Sequence, residues 1–377
     1  MPTISTFLPT CATVDLTALT HNLTRFRSHL PSGCEVMAVV KANAYGHGAV
    51  ETTKVLIRHG VSRVAVASIE EGAQLRQAGV TGPIVVLGPL FPEQIGDLLA
   101  LQLTPVVSDG ALLPVLARAA ASFHAPYPIH LKVETGMGRL GLSQKEVMDL
   151  FGRRLFPSTL QLEGLMTHLA DTDGPSPDMT MEQLARFRET LGGVAAQGFY
   201  APLIHAANSG GAIRFPEACF SLVRPGIMLY GYHTLPTSVA APDLKPVLSL
   251  RTTVAQLRTV AAGQKISYNG TFTARKTSRI AVLPIGYADG INRRLSNRGF
   301  VLIRGYRVPI VGLVCMDMMM VDVTNVSGVT VGDEAVLIGR QGNEQITAYD
   351  VAQWAETIPY EILCTIGPRI PRRYLAT

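Results

Sequence analysis

The sequence has little of several things whose absence narrows its function. Its five cysteines, Cys11, Cys34, Cys219, Cys315 and Cys364, are scattered and odd in number. That excludes a disulfide framework, and with no C-x-x-C pair no metal site is expected. A reducing, cytoplasmic setting fits this usage. No Lys or Arg precedes Arg25, and Asp15 and two prolines interrupt the early apolar residues. The start therefore lacks the basic region and continuous apolar core of a signal peptide. No uninterrupted apolar run approaches the length of a membrane span. Charged residues make up only 16% of the chain, and the net charge of +5 is dispersed, without any nucleic-acid-binding motif. The basic excess reads as a mild preference for anionic small molecules. There is no internal repeat and no low-complexity tract.

What is present is 47% hydrophobic content in 377 residues, enough for a large core and more consistent with two domains than one. From residue 34 to about 231, short Val-, Ile- and Leu-rich runs alternate with longer segments of helical spacing. The runs are "EVMAVV", "RVAVAS", "PIVVLG", "LTPVVS", "PIHLKV", "LEGLMTH", "LIHAAN" and "CFSLVR". Parallel strands covered by helices give this pattern, and eight of them close a (β/α)8 TIM barrel. Helices are expected over "SIEEGAQLRQAG" and "DMTMEQLARFRETLGGVAAQG". After a connector rich in Pro and Ser the texture changes. Runs such as "SRIAVLPIGYADG", "FVLIRG" and "DEAVLIG" follow one another with turns between them. The expected organisation is an α/β barrel domain over residues 1–243 and a C-terminal mainly-β domain over 244–377, with one amphipathic helix at "TAYDVAQWAETI" and a last strand and tail in "PRIPRRYLAT".

In such a barrel the strand C-termini form the active face. Lys41 ends the first run, His168 the sixth, Asn208 and Ser209 the seventh and Arg224 the eighth; Arg139 follows the fifth. "NSGG" and "RPGI", after strands seven and eight, are loops of small residues whose backbone N–H groups can approach a phosphate. A lysine at a dry strand end loses part of its preference for the charged form and becomes a nucleophile toward a carbonyl carbon. The plain alternative is a rim lysine that snorkels to water. An aldehyde-bearing phosphate, pyridoxal 5'-phosphate, would occupy both features.

The chain resembles the alanine racemase family. "AVVKANAYGHG" is similar to that family's cofactor-lysine signature. "HLKVETGMGRLG", "THLADTD", "ANSGG", "LVRPGIMLYG", "ISYNGTFTA", "PIGYADG" and "VCMD" are similar to its other motifs, in order along nearly the whole chain. The resemblance implies a pyridoxal-phosphate-dependent amino-acid racemase that interconverts L- and D-alanine and supplies D-alanine for peptidoglycan. Lys41 would carry the cofactor and serve one face of the substrate Cα. Tyr268 would serve the other face from the partner subunit of a homodimer. Inversion requires two such groups, because a proton leaves one face and returns to the opposite one.

By the same resemblance Arg224 faces the pyridine nitrogen, His168 links it to the catalytic tyrosine, and Asn208 lies among the cofactor-binding residues. Tyr45, Ser209, Gly226 and Ile227 bind the phosphate. Arg139 binds the cofactor's phenolic oxygen and helps place the substrate carboxylate. Lys132 matches a lysine often carbamylated in the family. Met316 offers its backbone N–H to the carboxylate, against a plain reading as one of a Met-rich strand's core residues, and Tyr287 narrows the entrance. The family's C-terminal Ser-Tyr-Arg run is replaced here by Gly367, Pro368 and Arg369. That removes one phosphate hydrogen bond, worth about 1–3 kcal/mol, and leaves room for weaker activity on serine. Decarboxylases of the same barrel type carry a Gly-rich phosphate loop and a Cys-Glu-Ser-Asp type motif, neither of which occurs. A non-catalytic cofactor-binding barrel would lack the β domain.

Overall fold

The computed structural model describes residues 8–375, so the tail residues Ala376 and Thr377 lie outside the described residues. The chain forms two compact units. One comprises Leu19–Ala44 and Ala49–Lys245. The other takes the residues up to Ala18, Tyr45–Gly48, and everything from Pro246 onward.

The first unit is built on the strands Glu35–Val39, Arg63–Val66, Ile84–Val86, Thr104–Val107, Tyr127–Lys132, Leu160–Met166, Leu203–His205 and Leu222–Val223. The first seven pair in parallel, each with the next. The eighth pairs with the first, Glu35 opposite Leu222. Between the seventh and eighth, Ser221 N–H donates to Ile204 O (3.2 Å) and Arg224 N–H to Ala207 O (3.0 Å), which closes the ring. All eight expected runs are strands of one barrel. Their side chains are buried almost throughout, as apolar runs packed against helices outside and one another inside must be. Helix Ile69–Gln77 starts where Ser68 Oγ accepts from Glu71 N–H, and Gln144–Gly152 starts in a reciprocal Ser143–Glu146 capping box.

The strands of the fifth and sixth positions depart from even pairing. Ile129 opposes Leu162, but His130 opposes Gly164, so Glu163 is an extra residue in the sixth strand. Such a bulge re-aims one side chain without ending the strand.

The second unit centres on a sheet with strand order Tyr306–Pro309, Phe300–Ile303, Glu334–Gln341, Leu248–Thr253, Cys11–Asp15 and Arg372–Leu375, with Glu344–Ile346 added to Glu334–Gln341. Cys11–Asp15 is antiparallel to Leu248–Thr253 and parallel to Arg372–Leu375. Long-range partners on both sides thus draw the first strand of the chain into the β unit, which a boundary at 243/244 does not register. A three-stranded sheet, Gln256–Val260, Ser278–Leu283 and Met319–Asp322, buries Val260, Ala274, Ile280 and Val311 together. The expected helix is Ala348–Ala355, opened by Thr347 and Asp350. A second, Pro359–Cys364, follows it; six residues are too few to show a helical period.

Candidate active site

Lys41 is the second residue beyond the first barrel strand, after Val40, whose N–H donates to Ala65 O (2.9 Å). The next four residues are left-handed: Ala42, Asn43, Ala44 and Tyr45 have φ of 52°, 54°, 54° and 53°. Each such L-residue costs roughly 1–2 kcal/mol, so the turn persists only if its surroundings hold it. Glu71 does much of this. One carboxylate oxygen accepts from Ala42 N–H (2.7 Å) and the other from Ala67 N–H (2.7 Å) at the end of the second strand. Asn43 Oδ1 accepts from Ala49 N–H (2.8 Å), and Ala44 N–H donates to Val40 O (2.8 Å). The turn sets the direction in which the chain leaves Lys41.

Arg224, immediately after the eighth strand, is 3% exposed. Nη1 donates to His205 Nδ1 (2.8 Å). Nη2 donates its two hydrogens to Thr167 O and Ala206 O, both at 2.9 Å, and His168 Nδ1 shares one of them at 3.3 Å. Because guanidinium only donates, His168 must present an unprotonated Nδ1 and carry its proton on Nε2. Burial, then the charges of Arg224, Lys132, Arg139 and Lys41, push the His168 pKa down to about 3. Burial alone lowers Arg224 to about 9, still charged at neutrality.

Lys132, the last residue of the fifth strand, is buried, and burial with the positive charges of Arg139, Arg224 and Lys41 lowers its pKa to about 8. Arg139 lies in the loop that folds back over this strand. There Glu134 accepts from the N–H groups of Gly136 and Arg139. Burial raises the Glu134 pKa, but these backbone donors outweigh it and the net shift is downward. Lys41, Lys132, Arg139, His168 and Arg224 are therefore one electrostatic cluster, strongly positive for its size.

After the seventh strand, Asn208 caps the short helix Ser209–Arg214 through Oδ1, which accepts from Gly211 N–H (2.8 Å). Ser209 is buried, and its Oγ accepts from Gly226 N–H (2.9 Å), so its hydroxyl proton remains available to an anion. A Cβ on Gly210 would lie 2.5 Å from Asp173 Oδ1, so only glycine allows this close packing. Ile227 opens the turn Ile227–Tyr230, and Tyr230 Oη fastens it to the first strand by donating to Val39 O (2.9 Å).

The motif residues of the β unit are of another kind. Tyr268 is 69% exposed at the tip of the hairpin Lys265–Ile266 and Phe272–Thr273. The tip is rigidly anchored. Ser267 Oγ donates to Leu313 O and accepts from Leu313 N–H, both at 3.0 Å. Tyr287 N–H donates to Cys315 O and Ala288 N–H to Met316 O, both at 3.0 Å. A Cβ on Gly286 would lie 2.3 Å from both of those carbonyls. "PIGYADG" and "VCMD" are thus two halves of one packed loop. Met316 is 53% exposed and Met319 fully buried, so the Met-rich stretch is core only in its later part. Tyr45 is buried in this unit beside Tyr360, ring centroids 6.1 Å apart, and burial raises its pKa.

Two family models match in sequence: alanine racemase, N-terminal domain, over residues 14–234, and alanine racemase, C-terminal domain, over 247–374. The chain belongs to the alanine racemase family. Among its relatives, the alanine racemase of Symbiobacterium thermophilum is 46% identical over 367 residues, 97% of each chain. The solved alanine racemase of Bacillus anthracis with bound L-Ala-P is 36% identical with a TM-score of 0.92, covering 99% of this chain and 96% of that one. The alanine racemase of Bartonella henselae with covalently bound pyridoxal phosphate is 32% identical with a TM-score of 0.88, covering 98% and 100%. The family uses pyridoxal phosphate, and the donor set fits it: an amine at Lys41, a buried guanidinium, and a hydroxyl beside glycine backbone.

Four residues at this site were not singled out by sequence reasoning: Glu71, His130, Glu163 and His205. Two of them left a signal. "PIHLKV" and "LIHAAN" each hold a histidine inside a strand that is otherwise apolar.

Proposed function

We propose that this member of the alanine racemase family interconverts L- and D-alanine with pyridoxal 5'-phosphate held at the barrel mouth. The observation that carries this reading is the conjunction of Lys41, buried Arg224 and the Ser209–Gly226–Ile227 cradle at the strand ends of one barrel. Once bound, the cofactor draws electrons from the substrate Cα, so that the Cα proton becomes exchangeable.

The amine of Lys41 holds the cofactor and, when released from it, exchanges a proton at one face of Cα. Tyr268 of the partner subunit exchanges one at the other. A phenol that is largely exposed on its own chain, yet rigidly mounted, suits a site completed by a second copy. His168 keeps its proton on Nε2, and donating it to the phenol oxygen favours the phenolate form that accepts a proton. Arg224 donates to the ring nitrogen without surrendering its proton. Ser209, Ile227 and Tyr45 donate to the phosphate; Gly226, expected to do so through its N–H, gives that hydrogen to Ser209 Oγ and with Asn208 shapes the cradle. Arg139, Met316 N–H and Tyr287 orient the substrate carboxylate and narrow the entrance. At a pKa near 8 Lys132 has enough neutral amine to add carbon dioxide and release a proton. The resulting carbamate would offset the surrounding cations, and labelling with ¹³C-bicarbonate would reveal it; no incorporation rejects it.

The same reading makes the protein a cytoplasmic homodimer that supplies D-alanine for peptidoglycan. Pro368 in place of a tyrosine allows serine as a slower substrate. No helix among the described residues is long and apolar enough to cross a membrane. Incubation with L-alanine in deuterium oxide, followed by chiral separation, tests the main proposal. Conversion to D-alanine with deuterium at Cα is expected; release of carbon dioxide, or no exchange, overturns it. A parallel run with serine should be measurably slower, and equal rates or none would reject the pocket argument.

A further inference from the structure

A polar column runs through the barrel beneath Arg224. His205 and His130 are both fully buried, in a barrel interior that branched apolar side chains ordinarily fill. Arg224 Nη1 meets His205 Nδ1 at 2.8 Å. His205 Nε2 meets His130 Nδ1 at 2.8 Å, and His130 Nε2 meets a Glu163 carboxylate oxygen at 3.0 Å. Glu163 is steadied in turn by Arg63 (3.4 Å), which also faces Glu35 (3.7 Å).

Only one arrangement of protons satisfies this chain. Guanidinium has no acceptor, so His205 Nδ1 must be bare and His205 Nε2 protonated. His130 must then accept at Nδ1 and donate from Nε2, and an ionised carboxylate, which only accepts, is the partner that requires. The cation at one end and the anion at the other dictate the same polarity. An imidazolium at either histidine would set two N–H groups against each other. The charged groups around the pair agree. Burial, with Arg224 and Arg63, lowers the pKa of both rings, against Glu163, which raises that of His130.

The backbone is shaped for this column. The bulge inserts Glu163 beside His130, and a Cβ on Gly164 would lie 2.6 Å from the His130 ring. Space for the imidazole thus exists only because residue 164 is glycine.

We propose that Glu163, His130 and His205 are positioning residues for Arg224: by locking one tautomer at each histidine they fix the direction in which the guanidinium offers its remaining N–H groups to the barrel mouth. The proposal rests on the reading that Arg224 faces the cofactor ring nitrogen, but its first test does not. In ¹⁵N-histidine-labelled protein, with and without pyridoxal phosphate, both rings should show a protonated Nε2 and a bare Nδ1, unchanged from pH 6 to 8.5. Either ring as the Nδ1–H tautomer or as imidazolium at pH 7 overturns the proposal.

Substitution supplies the second test. Glu163→Gln keeps an acceptor and should preserve both tautomers. Glu163→Leu leaves His130 Nε2–H without one, so both rings should populate mixed tautomers. In the loaded enzyme kcat should fall about tenfold, the equivalent of one hydrogen bond to a charged group, with KM for alanine little changed; Gln should recover most of the loss. If the Leu variant fails to fold, His205→Asn retains an acceptor for Arg224 through Oδ1 but severs His130, and should lower kcat several-fold. Fixed tautomers in Glu163→Leu with kcat within twofold of the parent would sink the proposal. Mixed tautomers with kcat unchanged would uphold the column and overturn the assignment of Arg224 to the ring.

Discussion

At the barrel mouth Arg224 is nearly sealed from water and meets four acceptors from its own chain. At the hairpin tip of the β unit Tyr268 is mostly exposed, and it is the backbone around it that is pinned, through Ser267 and Leu313. Both regions are rigid, but they use rigidity differently. In the barrel a low-dielectric interior shifts proton equilibria, so Lys132, His168 and Arg224 all move away from their ordinary values. The hairpin instead presents a side chain outward with its position already decided. If the proposed roles hold, the group prepared internally and the group presented on the surface are ones that a second copy of the chain would bring together.

The sharpest way to break this comparison is to remove the amine. Lys41→Ala should abolish alanine racemisation, a fall of at least about 10⁴-fold, since covalent cofactor attachment and one proton exchange are lost together. Borohydride should then fix no pyridoxyl group at that position. Persistent racemisation by the variant would remove the barrel from the chemistry.

Tyr268→Phe should cost about 10²- to 10⁴-fold, the usual worth of a positioned acid–base group, in both directions of the reaction. Mixing inactive Lys41→Ala and Tyr268→Phe proteins under conditions that exchange subunits should restore activity, because one site of each mixed dimer is intact. No recovery, with exchange verified by mass, would place the phenol and the amine on the same chain.

Glu71→Ala tests how far the left-handed turn depends on its anchor. Two backbone N–H groups lose their acceptor, so stability should fall by about 2–4 kcal/mol and kcat several-fold, with Glu71→Gln recovering part of each. Urea denaturation and steady-state rates measure both. Full stability and activity in the Ala variant would show that the turn holds itself.

An effect on stability of the same order as that of Glu71→Ala concerns acid. His130, His168 and His205 have folded pKa values below their ordinary 6.5, so between that value and the folded one the unfolded chain binds more protons. Stability should therefore be full above about pH 6.5 and decline as pH falls, by up to roughly 1.4 kcal/mol per pH unit for each histidine. Glu163 and Glu134, whose folded pKa values are depressed, add to the loss as pH falls through the carboxylate range. Urea midpoints at pH 7.5 and 5.5 should differ in that sense; equal midpoints would mean that the buried imidazoles take up protons in place.

Much of the barrel is legible in the order of residues alone. Each strand is a local apolar run bounded by turn residues, and strand order follows from chain order in a parallel barrel. The polar residues ending those runs, Lys41, His168, Asn208, Ser209 and Arg224, can be named for the same reason. Glu71 and Glu163 cannot. Each lies within a helix or strand and looks like an ordinary charged residue on the outer face. Glu71 reaches the left-handed turn at Ala42, 29 residues away in sequence, and Glu163 is aimed by a bulge that appears only when two strands pair. Met316 shows the converse, since "MDMMM" reads as uniform packing while the fold exposes its first three residues and buries Met319.

Sequence by itself determined the eight-strand barrel, the change to β structure, the family and the identity of the chemical groups, because periodicity, turn residues and motif order are local properties of the chain. Tertiary structure decided which partners His130, His168 and His205 meet, how the chain turns at Lys41, and that Cys11–Asp15 joins the β unit. These depend on partners far apart in sequence, whose hydrogen bonds and low-dielectric surroundings come into being only when the chain has closed upon itself.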